Sequence, residues 1–341
     1  MGVLSPAHHA QLERAVEVAL PHLAAGPDAA DLARFLYGQW YAAPARPRGL
    51  GGQTDPVEQA DLVGQAELVG QADLVEQADP VDLPLGAVLR AGHPDTHRWE
   101  SAVVERTGIG GTLVVTTVGG GIRAVARGDY APATTARIGV ACAVGDVVDI
   151  RCRTGGFVEG GWWRTWRGDW TPTRMPAALT RLYLSPVPRA VDALVPTVLA
   201  VLGRLDDPWL VKIGAKRAML NRPDAMVAYL PDATTGLLDG VPSPVVRELI
   251  DSVKGLVDGT GPPLSDPLAR GVSWVQDPGI GSSFGEFICG VLAAALVAHQ
   301  PLQDAPPPGI AELAQMLAQA LAAAGIDPGA PHLRPTTTEA A

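Results

Sequence analysis

Lys212 is one of only three lysines in the chain, and it stands inside an otherwise apolar segment that runs from Trp209 to Ile213. Burial lowers the pKa of a lysine, and a lysine with a lowered pKa can act as a general base. A lysine on an edge strand has a different purpose, because its charge prevents one sheet from pairing with another. The sequence leaves both roles open for Lys212.

Arg222 and Asp224 precede the apolar segment from Ala225 to Leu230, which is typical of a strand. Charged groups at the mouth of a strand can face a cleft, and the planar guanidinium of an arginine binds phosphate through two parallel hydrogen bonds. Two residues of opposite charge can also pair with each other on the surface, where such a pair contributes little stability. Both interpretations apply to this pair.

A turn rich in glycine and serine, from Asp277 to Ser283, leads into the apolar segment that begins at Phe284. The free amide groups and the dipole of a helix N-terminus attract anions, so the amides of Ser282 and Ser283 could bind phosphate. Ser283 and Glu286 also have the spacing of a capping box, which only closes the end of a helix. The two roles are compatible.

Other catalytic patterns are missing from the sequence. His93 and His97 have the spacing of a metal-binding pair, but Pro94 makes a helix there unfavourable and no third ligand is near. The three cysteines form no CxxC pair, and there is no GxSxG motif. We therefore expect no metal site and no cofactor, and free thiols in a reducing cytoplasm.

The net charge of −10 argues against a nucleic-acid partner. It is unevenly distributed, because Gln53 to Asp82 holds eight acidic residues and no basic one, and the rest of the chain has 28 acidic and 26 basic residues. Between Arg123 and Arg181 there are nine arginines and five acidic residues. This basic region could meet an anionic ligand, or arginine could simply be the preferred base of the chain.

The acidic tract consists of five hexads, which begin at Gln53, Gln59, Gln65, Gln71 and Gln77. A hexapeptide β-helix needs more repeats than this to bury a core, so the composition favours a flexible, low-complexity insertion that the fold does not need. We predict four parts: a helical part at 1–48, the insertion and a linker at 49–98, a core at 99–300, and a peripheral helix with a flexible tail at 301–341.

The hydrophobic periodicity predicts an α+β fold, with N-terminal helices, a central antiparallel β-rich region and a C-terminal mixed α/β region with a buried helix. The predicted helices are His9 to Leu20, Asp28 to Ala42, Val191 to Arg204, Pro244 to Val257, Phe284 to His299 and Ile310 to Ala323. The predicted strands include a hairpin between Gly111 and Gly128, then 145–153, 157–168, 181–184, 209–213 and 225–230. The longest uncharged run near the end, Phe287 to Ala298, is shorter than the roughly 20 residues that cross a bilayer.

Several short motifs, in this order and spacing, resemble the HopA effector family. They are Leu36 to Tyr41, Arg181 to Tyr183, Leu210 to Ile213, Arg222 to Tyr229, Ala269 to Val272 and Ser283 to Gly285. The resemblance covers most of the chain outside the repeat tract and the C-terminal tail. The chain departs from the family pattern at three places: it has Leu264-Ser265-Asp266 where Phe-Thr-Lys is expected, Gln276 where a glutamate is expected, and Phe287 where an arginine is expected.

The resemblance implies a lyase, because similar domains act in the maturation of ribosomally made peptides such as class V lanthipeptides and thioamitides. There a separate kinase phosphorylates serine or threonine, and the HopA-like protein eliminates the phosphate to give dehydroalanine or dehydrobutyrine. Elimination requires a base, cations on the departing phosphate and a donor to the substrate carbonyl, but no cofactor. The candidates for these roles are Lys212 as base, Arg222, Arg181 and Lys216 on the phosphate, and Tyr183 or the amides of Ser282 and Ser283 as donors, with Asp224 beside them.

The expected partners are a phosphorylated precursor peptide and a separate kinase, and we expect neither nucleic acid nor membrane to be bound. Two other functions remain open. One is a non-catalytic protein that binds the peptide or the kinase. The other is a translocated effector, although the helical pattern at the N-terminus differs from the serine-rich signals of such proteins.

Overall fold

The computed structural model of the chain describes residues 4–44, 83–92, 97–133, 141–153, 155–168, 170, 175–176, 178–279, 282–299 and 308–335. The chain divides into two compact units, one formed by His93–Gly156 and one by Met1–Gly92 together with Phe157–Ala341. The sequence did not predict this division, because it placed residues 99–300 in a single core. The hexad tract and His93 lie outside the described residues.

The smaller unit is an antiparallel sheet of five strands in the order β3-β2-β1-β5-β4. Its strands are β1 (His97–Thr107), β2 (Leu113–Thr117), β3 (Ile122–Val125), β4 (Tyr130–Pro132) and β5 (Val147–Arg153). Alternate residues of β1, β2 and β5 form a small core that includes Val104, Val115 and Ile150. The hairpin predicted between Gly111 and Gly128 is therefore present as β2 and β3, which pair antiparallel.

The larger unit contains a sheet of seven strands in the order β11-β12-β8-β10-β9-β7-β6. These strands are β6 (Gly155–Glu159), β7 (Trp162–Arg167), β8 (Leu179–Leu184), β9 (Trp209–Gly214), β10 (Met226–Pro231), β11 (Asp266–Ala269) and β12 (Val272–Gln276). The pairings of β7 with β9, β9 with β10, β10 with β8 and β8 with β12 are antiparallel. β9, which carries Lys212, is an interior strand.

Helices cover both faces of this sheet. In chain order they are α1 (Pro6–Leu23), α2 (Ala29–Leu36), α3 (Leu83–Gly92), α4 (Val191–Leu202), α5 (Asp232–Thr235), α6 (Pro244–Val253), α7 (Phe284–Ala298) and α8 (Ile310–Ala323). One core cluster joins α1, α2, α7 and α8 to one face of the sheet, and a second cluster joins α3, α4 and α6 to the other. This arrangement confirms the predicted α+β class, including the buried helix at α7. Among the described helices, none is long and apolar enough to cross a membrane.

Strand periodicity decides which side chains reach each core cluster. Residues paired across neighbouring strands lie on the same face, and neighbours along a strand lie on opposite faces. Lys212 pairs with Arg164 and with Val227, and Val227 pairs with Tyr183, so these four side chains belong to the face that α1, α2 and α7 cover. Arg181 is two residues from Tyr183 and shares that face.

The C-terminal segment contributes more to the core than its alanine-rich composition indicated. In α8, Leu313, Leu317 and Leu321 are buried in the same cluster as α1 and α7. Beyond α8, the backbone N–H of Arg334 donates to the side-chain oxygen of Gln276 at 2.9 Å. Residues 308–335 are thus packed on the larger unit.

Candidate functional site

Lys212 lies on an interior strand, so the sheet-guarding role of an edge-strand lysine does not apply to it. Its ammonium nitrogen is 4.4 Å from the centre of the Trp162 ring and 5.9 Å from that of Tyr229. Aromatic ring faces attract cations at such distances. Within the described part of the chain, no carboxylate lies within ion-pair distance of Lys212.

Arg222 and Asp224 form a two-pronged ion pair at the start of β10. Arg222 Nε and Nη2 donate to the two carboxylate oxygens of Asp224, each at 2.8 Å. The pair is buried, since the two side chains are only 15% and 4% exposed, and it differs in this respect from the surface pair that the sequence allowed. Burial alone would lower the pKa of Arg222, but Asp224 and Tyr37 raise it above its ordinary value. The guanidinium therefore stays charged.

Tyr37 joins this pair from a π-helical turn, Tyr37–Tyr41, that follows α2. Its hydroxyl donates to Asp224 Oδ2 at 3.2 Å and accepts a hydrogen bond from Arg222 Nη2 at 3.3 Å. Burial, and then the charge of Asp224, raise the pKa of Tyr37 well above its ordinary value. Tyr37 was not among the site residues predicted from the sequence, although it stands in the first motif of the family resemblance.

The side chains of Arg222 and Lys212 both lie close to the aromatic ring of Trp162. The guanidinium carbon of Arg222 is 5.3 Å from the centre of the Trp162 ring, the ring that also holds the Lys212 ammonium. Trp162 stands at the start of β7 and was not among the candidate residues predicted from the sequence. Its alternation with Arg164 and Trp166 was the available signal, because it predicts that all three share a face.

Arg181 is also close to this group but is already engaged. Its Nε donates to Asp277 Oδ2 at 2.6 Å, and its Nη2 donates weakly to the carbonyl of Ser282 at 3.4 Å. The guanidinium lies 5.2 Å from the Tyr229 ring, which Lys212 approaches from another position. Burial alone would lower the pKa of Arg181, but Tyr229, Tyr183 and Asp277 raise it above its ordinary value.

Tyr183 is buried, and its hydroxyl accepts a hydrogen bond from the hydroxyl of Tyr41 at 3.1 Å. Burial raises the pKa of Tyr183 above its ordinary value, so the phenol remains neutral. A donor role toward a substrate stays a prediction, and the position of the hydroxyl within the core disfavours it.

Replacing Tyr183 by phenylalanine tests this role. We expect Tyr183→Phe to lower the free energy of unfolding by about 1–2 kcal/mol, because the buried Tyr41 hydroxyl loses its acceptor. We expect the rate of phosphate elimination to change by less than about twofold. Urea unfolding and a mass-spectrometric elimination assay measure the two effects, and a rate loss of two orders of magnitude would restore Tyr183 as a catalytic donor.

Ser283 caps α7, as the capping-box spacing indicated. Its hydroxyl accepts from the backbone N–H of Glu286 at 3.2 Å, and its own N–H donates to the carboxylate of Glu286 at 2.6 Å. That amide is therefore not free to bind an anion. Ser282 contributes its carbonyl to Arg181.

Lys216 lies in the connection from β9 to a 3₁₀ turn, Arg217–Asn221. Its side chain is half-buried and, in the described part of the chain, makes no ion pair or hydrogen bond with another candidate residue. The structure thus brings together Lys212, Arg222, Asp224 and Arg181 around the Trp162 and Tyr229 rings. It adds Tyr37, and it leaves Lys216 without a described contact to them.

The positions that depart from the family pattern have structural partners. Asp266 accepts a hydrogen bond from Trp274 Nε1 at 3.0 Å, and Gln276 Nε2 donates to Asp232 at 3.2 Å. Phe287 packs against the core from α7. None of the three interrupts the contacts among Lys212, Arg222 and Asp224.

The solved structures that resemble the chain include two that are titled as effector proteins of Pseudomonas syringae. The protein of pathovar tomato strain DC3000 is 17% identical, with a TM-score of 0.38, over 51% of this chain and 63% of that one. The protein of pathovar syringae strain 61 is 17% identical, with a TM-score of 0.35, over 51% of this chain and 62% of that one. The chain spans less than two thirds of each structure, and no curated protein matches it.

A family model matches residues 164–333 and is described as the HopA1 effector protein family. The match contains all of the candidate residues from Arg181 to Ser283. It is narrower than the resemblance in the sequence motifs, since it omits the first motif, Leu36 to Tyr41, and it begins two residues after Trp162. Over residues 164–333 this chain carries a domain of the HopA1 effector protein family.

Proposed function

We propose that the protein is a lyase that eliminates phosphate from phosphoserine and phosphothreonine in a ribosomally made precursor peptide. The neutral amine of Lys212, formed when its ammonium releases a proton to solvent, removes the proton on Cα, and the electrons of that C–H bond form the Cα=Cβ double bond. The bond between Cβ and the phosphate oxygen breaks, and the phosphate leaves with its electrons. The products are dehydroalanine or dehydrobutyrine and inorganic phosphate, so the reaction needs no oxidant or cofactor.

The observation that carries this proposal is the position of Lys212. It is a lysine without a carboxylate partner among the described residues, on an interior strand, at a ring that it shares with Arg222. A base and a phosphate-binding cation must lie close together, because the proton and the phosphate leave from adjacent carbon atoms. Lys212 and Arg222 meet this requirement.

The hydrogen bonds of Arg222 leave part of its guanidinium for a ligand. Its Nε and Nη2 are used by Asp224 and Tyr37, whereas its Nη1 has no partner among the described residues. Asp224 fixes the plane of the guanidinium, and a fixed plane loses little entropy when it binds a phosphate. We therefore assign phosphate binding to Arg222, and a supporting charge to Arg181 at the Tyr229 ring.

The experiment is an elimination assay on synthetic peptides that contain one phosphothreonine or one phosphoserine. The proposal predicts that the protein alone converts the peptide to a product lighter by one phosphoric acid and releases orthophosphate. A phosphatase would release the same orthophosphate but leave a product heavier than the eliminated one by one water, so the mass separates the two reactions. The unphosphorylated peptide is the control.

A non-catalytic role is the outcome that would overturn the proposal. In that case the protein would bind the phosphorylated peptide, or the kinase of the same pathway, and leave the mass of the peptide unchanged. Binding is measured separately, by calorimetry with the same peptides. Affinity without elimination would leave the protein as a carrier of the peptide and remove the lyase function.

A further inference from the structure

Trp162 is the residue at which the two cations of the site meet, and no role is yet assigned to it. The Lys212 ammonium is 4.4 Å and the Arg222 guanidinium carbon 5.3 Å from the centre of its ring. The Arg222 guanidinium also lies 5.6 Å from the Tyr37 ring. Two cations this close to one ring repel each other, and the negative faces of the ring offset part of that repulsion.

The backbone around Trp162 places Lys212 and Arg222 on either side of a close turn, so that both reach the same ring. Trp162 pairs directly with Gly214 at the end of β9, two residues beyond Lys212. A Cβ atom on Gly214 would lie 2.6 Å from the Cβ of Met219, so only glycine allows the turn Arg217–Asn221 to fold back this closely onto the strand. That turn leads directly into Arg222, which returns to the Trp162 ring.

The ion pairs near the Trp162 ring explain why the Lys212 side chain needs another group to fix its position. Arg222 is paired with Asp224, Arg181 with Asp277, and Arg164 with Glu159. Among the residues that the structure describes, Lys212 is the cation of this group that has no carboxylate partner, and its four-carbon side chain has many rotamers. The aromatic rings of Trp162 and Tyr229 are the groups that the structure gives it instead.

We propose that Trp162 is a positioning residue that holds the Lys212 ammonium beside the Arg222 guanidinium, so that one phosphorylated residue meets both. This inference rests on the proposed function for the identity of the ligand. Trp162 acts through Lys212, because Asp224 and Tyr37 already fix the Arg222 guanidinium, and it does not itself take part in proton transfer. Its removal should therefore weaken phosphate binding only while Lys212 is present.

The test is a double-mutant cycle on binding, with a peptide in which a methylene group replaces the bridging oxygen of phosphothreonine, so that nothing can be eliminated. The variants are Trp162→Leu, Lys212→Met and the combination, with Trp162→Phe as the conservative change. Trp99→Leu is the matched control, because Trp99 is 56% exposed and lies in the smaller unit. Unfolding midpoints are measured for each variant.

We expect Trp162→Leu to weaken binding of the analogue about 3- to 30-fold, which is the range of one or two cation–π contacts. Phenylalanine keeps a ring face, so Trp162→Phe should stay within about threefold of wild type. In the Lys212→Met background, the Trp162→Leu change should cost less than about twofold, since the lysine it positions is absent. Trp99→Leu should bind like wild type.

Equal effects of Trp162→Leu with and without Lys212 would overturn the proposal, because a residue that is merely structural gives additive losses. Failure of the wild type to bind the analogue would overturn it as well. Coupling between Trp162 and Lys212 in a protein that binds but does not eliminate would support the positioning role and remove the lyase function. Elimination without coupling between Trp162 and Lys212 would support the lyase function and overturn the positioning role of Trp162.

Discussion

Lys212→Met is expected to reduce the rate of phosphate elimination about 10²- to 10⁴-fold, which is the usual contribution of a general base. Methionine keeps the length and apolar character of the side chain but has no nitrogen to accept the Cα proton. The fold should be maintained, because Lys212 makes no ion pair in the described part of the chain that the change would break. The rate is measured by mass spectrometry on a phosphothreonine peptide.

Two further lysine variants sharpen this result. Lys254→Met is the control, since Lys254 is exposed at the end of α6, and it should eliminate at the wild-type rate. Lys212→Arg keeps the positive charge, but arginine is not deprotonated in proteins, so it should bind the methylene analogue yet remain inactive. An active Lys212→Arg variant would assign Lys212 to phosphate binding and leave the base to another residue.

Gly285→Ala is expected to lower the free energy of unfolding by about 1–3 kcal/mol, the usual cost of forcing a methyl group into a packed core. A Cβ atom on Gly285 would lie 2.3 Å from Cε1 of Tyr41. Tyr41 is buried and its hydroxyl is bound to Tyr183, so its ring has little room to move. Urea unfolding of the full chain measures the loss.

Gly290→Ala is the matched control in the same helix. A Cβ atom on Gly290 would have no neighbour within 4 Å, and alanine is the better helix former by about 1 kcal/mol. The control should therefore be at least as stable as wild type, and the difference between the two variants isolates the clash with Tyr41. Equal stabilities would contradict the close packing of α7 against the π-helical turn.

Local sequence patterns were sufficient for most of the elements that position the site. The apolar runs around Lys212 and after Asp224 predicted β9 and β10, and the capping residue Ser283 marked the start of α7. β11, β12 and α3 were not predicted. β11 and β12 are short, and β11 contains Pro267, which is typical of an edge strand and weakens the strand pattern. α3 follows directly on the hexad tract, and the low complexity of that tract favoured a linker there over a helix.

The site itself was predictable only where its residues are close in sequence. Arg222 and Asp224 are two residues apart, and their pairing was among the interpretations that the sequence allowed. The bond between Tyr37 and Asp224 spans 187 residues, and that between Tyr41 and Tyr183 spans 142. Contacts at such separations depend on how whole helices pack on the sheet, and a single sequence carries no direct signal for them.

The π-helical turn Tyr37–Tyr41 has a consequence for where the working unit begins. It lies far upstream of the matched family domain at 164–333, yet it supplies hydroxyl groups to Asp224 and Tyr183. A fragment cut at residue 164 would lose these tyrosines and Trp162, and it would expose the apolar sheet face that α1 and α2 cover. The compact unit that contains the site is therefore discontinuous along the chain, because helices α1 and α2 pack on the same sheet as the segments that follow Phe157.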